Sequence, residues 1–174
     1  MSHNPAMPTN YESAFDERPG VYAAWAELLG AVKANMDLRR YELVTLAAAR
    51  RLRSSYCSLA HGKILAEQYG EPVREIATDR ASAGLDDVDL AVMDLAEKVI
   101  DDATSIEESD RRRLRDLGLT NPEIMDVILA ASLRSFWTKT LDGLGVQPDA
   151  SYAELDPDLR EVLVVGRPIA EAER

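Results

Sequence analysis

The chain has 174 residues, 46% apolar and 29% charged, with 20 basic and 31 acidic side chains and a formal net charge of −11. That length holds about one domain with its own core, and the composition excludes a collagen-like, low-complexity or wholly disordered chain. The acidic balance argues against nucleic-acid binding and against docking on an anionic membrane; the single cysteine excludes an internal disulfide and multi-cysteine zinc sites, and suits a reducing cytoplasm.

Residues 1–18 are polar and hold Pro5 and Pro8, so they read as an N-terminal arm, with His3 exposed and idle. No apolar h-region opens the chain and no stretch approaches 18 apolar residues, so the expectation is a cytoplasmic protein with no signal peptide and no membrane span. From Gly20 to Gly145 the apolar residues recur at helical spacing with almost no strand pattern, which predicts an all-α domain.

The first helix spans about Pro19 to Met36, with Tyr22, Trp25, Leu28, Leu29 and Val32 as its stripe. The second spans about Leu38 to Arg53, with Leu43, Leu46, Ala47 and Ala49 inward and arginines in its last turn. The third opens at Ser54 or Ser55 and stops at Gly70. A short fourth covers Pro72 to Ser82, and a fifth runs from Asp86 to Ala103. Ser105 to Glu108 has the capping-box pattern and opens a sixth that stops at Gly118. Thr120 to Glu123 is a second capping box. It opens the longest helix, to about Leu141, whose Ile124, Val127, Ile128, Ala131, Leu133, Phe136 and Trp137 suggest a central or subunit-contact position. Beyond Gly145 come turns at Asp149 to Tyr152 and at Asp156-Pro157. Leu159 to Val165 then reads as a last helical turn or a strand-like arm. Arg111, Arg112 and Arg113 read as a solvated face paired with nearby acids.

Chemistry concentrates at Ser54-Ser55-Tyr56-Cys57-Ser58-Leu59-Ala60-His61. Cys57 and His61 are four apart and share a helix face. If Ser54 or Ser55 caps the helix, Cys57 sits in the first turn, where free N–H groups favour a thiolate and a histidine one turn on can take its proton. Glu42 lies on the preceding Ala-rich helix, where it is placed to orient an imidazole or relay its proton. A free cysteine is more often a small core residue and a helical acid more often a solvated one; spacing alone leaves both readings open.

Glu42, then Cys57 fifteen residues later, then His61, in the context Ser54-x-x-Cys57-x-x-x-His61, resembles the AhpD-like, or carboxymuconolactone decarboxylase, family, whose pattern is a Glu followed by Cys-x-x-Cys-x-x-x-His. Tyr41 to Arg50 resembles that family's Glu-bearing helix. Asp94 to Lys98, Leu117 to Ile124 and Phe136 to Val146 resemble its peroxidase-related alkylhydroperoxidase branch. The likeness divides the chain into the arm (1–18), an AhpD-like helical domain (19–146) and a C-terminal extension (147–174). It implies a helical bundle, a homo-oligomer (dimer, trimer or hexamer) and thiol peroxidase-like activity on hydroperoxides, with Cys57 as the activated thiol and His61 and Glu42 as its proton relay.

Ser54 stands where the family pattern has its first cysteine. A sulfenic acid on Cys57 then has no second thiol in its own subunit to resolve it. The expectation is a one-cysteine hydroperoxide reductase served by an external thiol, with Ser54 donating a hydrogen bond to the thiolate. The alternatives are a non-catalytic oligomer or one-cysteine redox sensor, and, lower, a decarboxylase-like acid–base enzyme using Glu42 and His61. No cofactor and no metal is expected, since Cys57, His61 and Glu42 offer three ligands at best, and no nucleic-acid or membrane partner.

Overall fold

The structure, a computed structural model, describes residues 8–172, so His3 and most of the first half of the expected arm lie outside the described residues. Among the described residues there are nine α-helices and no strand: α1 (Asn10–Ser13), α2 (Pro19–Lys33), α3 (Leu38–Arg51), α4 (Ser55–Tyr69), α5 (Val73–Thr78), α6 (Asp87–Asp102), α7 (Glu108–Asp116), α8 (Asn121–Gly143) and α9 (Pro157–Leu163). The all-α expectation holds.

Helix α3 forms the middle of the fold. Asp37 caps it, accepting from the Arg40 N–H at 2.9 Å. It is buried without a break from Tyr41 to Ala49, because α4, α6 and α8 all pack on it. Its Ala-rich sequence permits that: small side chains let three helices approach one. At its start, Arg39 and Arg40 reach the buried carboxylate of Asp89 on α6 at 2.7 and 3.1 Å. This pairing satisfies a carboxylate that would be costly to bury alone.

Helix boundaries differ from expectation where a local contact outweighs the pattern. The fourth segment splits, since Asp79 turns extended (φ −147°, ψ 84°) and separates α5 from a 3-10 turn at Arg80–Ser82. The Ser105 capping box does not form. Ser105 instead ends a 3-10 turn, Ile106 runs extended to pack on the core, and Glu107 caps α7 with its N–H donating to Asp110 at 3.0 Å. The Thr120–Glu123 box does form, with the Thr120 N–H donating to Glu123 at 2.7 Å. Leu159 to Leu163 is helical, within α9, so the strand-like alternative is set aside. Leu28 and Phe136, expected on inward stripes, face out, at 51% and 47% exposure. The arginine run of α7 pairs with acids as expected: Arg111 with Glu108 at 3.0 Å and Arg113 with Asp94 at 3.3 Å.

The lead-in is less loose than its composition suggested. Thr9 caps α1, and Phe15 is buried against Trp137. The C-terminal segment folds back over α4. Leu163 is fully buried against Gly62, where a Cβ would come within 2.6 Å of its methyls. The Gly166 N–H donates to Ser55 Oγ at 2.8 Å, and any Cβ at Gly166 would collide with the backbone oxygen of Arg53.

Gly166→Ala must therefore push the C-terminal segment off the start of α4. We expect a cost of about 1–3 kcal/mol, read as a melting temperature lower by roughly 2–10 °C. Gly30→Ala, with open space at its Cβ, should leave stability equal or raise it by about 0.5–1 kcal/mol. Equal melting temperatures for Gly166→Ala and the parent would refute the packing argument.

Candidate active site

The chain passes from α3 to α4 through a three-residue corner. Arg53 adopts φ +58°, a left-handed conformation that costs a non-glycine residue about 1 kcal/mol. The corner is held by the N–H groups of Arg53 and Ser54, which donate to Arg50 and Ala49 carbonyls at 2.9 Å each. It packs α4 back along α3 and so brings two residues nineteen apart together: His61 Nδ1 and Glu42 Oε2 lie 2.5 Å from each other. Both are buried. With Glu42 ionised, Nδ1–H donates to the carboxylate and Nε2 keeps its lone pair. The other oxygen of Glu42 lies 3.9 Å from Lys33 Nζ, which also sits 4.7 Å above the Tyr41 ring.

Cys57 is the third residue of α4, in the turn whose N–H groups have no partner within the helix. Its sulfur is held from α8. Thr138 Oγ1 donates to Sγ at 3.3 Å and Arg134 Nη1 at 3.5 Å. Arg134 Nη2 donates to the Tyr41 hydroxyl at 3.1 Å, and its Nε has no partner. The guanidinium is buried, at 5% exposure, and among the described residues no carboxylate pairs with it. Burial works against its charge, but Cys57 and then Tyr41 hold its pKa above the ordinary range.

No hydrogen bond joins His61 to Cys57 directly. His61 has its pKa pushed down to about 4, first by burial and then by Arg134, against the opposing pull of the Glu42 hydrogen bond and charge. It is neutral at pH 7. Ser54 departs from its expected role. It holds the cap position, but its side chain neither caps α4 nor bonds Cys57, and its hydroxyl is buried without a partner. Its nearness to Asp142 opposes the rise that burial imposes on that carboxyl.

Cys57, His61, Glu42, Arg134 and Lys33 share one cavity of about 410 Å³. Its other walls combine aromatic rings, Tyr11, Tyr22, Trp25, Tyr41, Tyr56, Trp137 and Tyr152, with small and aliphatic residues such as Leu29, Ala60, Ile64 and Leu141. Trp25 and Phe15 both stack on Trp137, at 3.6 and 5.1 Å between centroids. Asp149 of the C-terminal segment accepts from the Tyr56 hydroxyl at 2.5 Å and from the Asn10 N–H at 2.7 Å. One carboxylate thus ties both ends of the chain to the residue beside Cys57. Among the described residues no group of three His, Cys, Asp or Glu is placed to hold a metal.

Arg134 and Thr138 are the site residues that sequence reading passed over. A signal was present. Ala130, Ala131, Arg134, Trp137, Thr138 and Leu141 form the buried face of α8 at three- and four-residue spacing, and an arginine on such a stripe is out of place unless it is partnered. The aromatic wall carried no such signal, because its members come from α1, α2, α3, α4, α8 and the C-terminal segment.

Residues 19–98 match the family model of the carboxymuconolactone decarboxylase family. The match ends before α8, so Arg134 and Thr138 lie outside it. The fold is similar to that of the alkylhydroperoxidase AhpD core of an uncharacterized peroxidase-related protein from Ralstonia eutropha JMP134, with TM-score 0.75 and 20% identity over 91% of this chain and 83% of that one. It is similar also to an uncharacterized peroxidase-related protein from Silicibacter sp. TM1040, with TM-score 0.77 and 20% identity over 84% and 79%. At that identity the likeness is one of fold. No curated protein matches the sequence.

The depressed pKa of His61 fixes the sign of a pH effect. The unfolded chain takes up this proton below about 6.5 and the folded chain only near 4. The stability contributed by a neutral His61 is therefore complete above pH 6.5 and is lost as pH falls toward 4. The urea midpoint of the parent should fall across that window, and its difference from His61→Gln should shrink with it. A difference that stays constant from pH 7 to 4 would contradict the burial of a neutral imidazole.

Proposed function

We propose that this chain, an AhpD-like member of the carboxymuconolactone decarboxylase family, is a one-cysteine hydroperoxide reductase with Cys57 as its nucleophile. The observation that carries the reading is the double hold on Cys57 Sγ by a buried, carboxylate-free guanidinium and a threonine hydroxyl, beside a neutral imidazole anchored by Glu42. A side chain serving only as packing has no use for a buried positive charge against its sulfur.

The thiol proton passes through a water in the cavity to His61 Nε2, since no direct bond links the two groups. The sulfur attacks the terminal oxygen of the hydroperoxide. The S–O bond forms, the O–O bond breaks, and the leaving alkoxide takes the proton from His61. Cys57 becomes a sulfenic acid and the peroxide becomes its alcohol. Arg134 and Thr138 stabilise negative charge on sulfur before attack. Glu42 holds the tautomer that leaves Nε2 free and steadies the imidazolium that forms. With no second cysteine in the chain, two equivalents of an external thiol return the sulfenic acid to thiol, releasing water and a disulfide. Ser54 keeps the place of the missing cysteine without sharing in this chemistry.

The same proposal includes a homo-oligomer. The exposed apolar residues Met125, Leu129 and Phe136, four and seven apart on one face of α8, support a second copy as the partner of that face. Phe136→Glu should lower the mass found by light scattering toward that of one 19.2 kDa chain; an unchanged mass would place the contact elsewhere.

Intact-mass spectrometry after limiting cumene hydroperoxide tests the chemistry. The parent should gain one oxygen on Cys57, and an added dithiol should remove it. Cys57→Ser should gain none. Arg134→Met should react roughly a hundredfold more slowly. The acid limb of the rate should lie near 4, the pKa of His61, and move lower in Glu42→Gln, because the carboxylate holds that pKa up. Oxidation of Cys57 no faster than that of an ordinary thiol would sink the proposal. Fast oxidation without turnover on any thiol would leave the chain a redox sensor.

A further inference from the structure

Of the chain's 6 tyrosines, 2 tryptophans and 2 phenylalanines, five tyrosines and both tryptophans line the cavity that holds Cys57. Part of this wall is still open. Tyr22 and Trp25 are only half-buried on α2, a helix whose one buried residue is Val32. The cavity's volume of about 410 Å³ far exceeds the roughly 30 Å³ that a water-sized molecule takes. Hydrogen peroxide would leave most of it unfilled.

Two polar atoms among its lining side chains have no partner. Arg134 Nε and Trp25 Nε1 are both buried donors without an acceptor, and both side chains face this cavity. An orphaned buried N–H costs about 1–3 kcal/mol. Both atoms are closed off from the cavity's open space, so the oxygens of a hydroperoxide would meet the other polar groups of the lining, the Arg134 guanidinium end that holds Cys57 Sγ. Aromatic walls add preference of their own, since each ring pair in offset or edge contact gains about 0.5–1.5 kcal/mol beyond the area it covers.

We infer that this cavity is a binding site for the organic part of an aryl-bearing hydroperoxide, with the ring against Tyr22, Trp25 and Trp137 and the oxygens toward Arg134 and Cys57. The inference rests on the hydroperoxide reductase reading for its chemistry but not for its binding. Small-alkyl hydroperoxides and hydrogen peroxide are the poor substrates.

The unreactive alcohol product separates the two ideas. 2-Phenyl-2-propanol is titrated into the full chain and into Cys57→Ser, followed by tryptophan fluorescence and calorimetry, with tert-butanol as the comparison. We expect saturable binding of the aryl alcohol to both proteins, at least tenfold tighter than tert-butanol. Trp25→Leu and Tyr22→Leu, each checked for helix content, should each lose about tenfold. In turnover, the ratio of kcat/KM for cumene hydroperoxide to that for hydrogen peroxide should fall at least tenfold in the same variants. Discriminating binding without any turnover would support the aryl site and remove the reductase reading. Turnover with equal affinity for both alcohols would overturn the aryl site and leave the reductase reading standing.

Discussion

A guanidinium with no carboxylate partner among the described residues lies inside this protein, and the site is arranged around it. Arg134 spends its buried charge on a sulfur and a phenol. Desolvating such a group is costly unless something nearby can carry negative charge, and Cys57 is the neighbour able to do so. The same charge acts on His61. Together with burial it holds the imidazole neutral, against Glu42 at 2.5 Å. One positive group thus contacts the sulfur and disfavours charge on the ring. The proposed roles of Cys57 as nucleophile and His61 as proton acceptor rest on that arrangement.

The frame that fixes these groups is rigid for reasons that have little to do with chemistry. Helix α3 is closed in by three helices, so Glu42 has little freedom to turn away. The left-handed corner at Arg53 sets how α4 returns. From the far end of the chain, Leu163 fills the space that Gly62 leaves empty, and Gly166 seats on the start of α4. Asp149 then pins Tyr56 and the backbone of Asn10 with one carboxylate. The C-terminal segment is a brace on the helix that carries Cys57, and the lead-in supplies two rings, Tyr11 and Phe15, to the aromatic wall and its backing.

Ser54, at the start of α4, gains a physical reading here. Serine is a good helix cap in general, yet this one caps nothing, because the chain reaches it from a strained corner and buries its hydroxyl without a partner. The support that the sulfur lacks from its own helix comes from α8, 77 and 81 residues further along the chain.

The sequence by itself determined the helical class, most helix positions and the shared face of Cys57 and His61, while Glu42 joined them only through the likeness to a family pattern. The first three depend on spacing along a helix, where period 3.6 converts directly into a shared face. It could also mark Arg134, a lone charge on the apolar stripe of α8, though not say what that charge answered. Only the tertiary structure decided the partners of Cys57, the idleness of the Ser54 hydroxyl, the ordering of the polar lead-in and the aromatic cavity. Each joins segments far apart in the chain, brought together by the burial of whole helix faces. Local pattern carries no information on which distant face a side chain will meet.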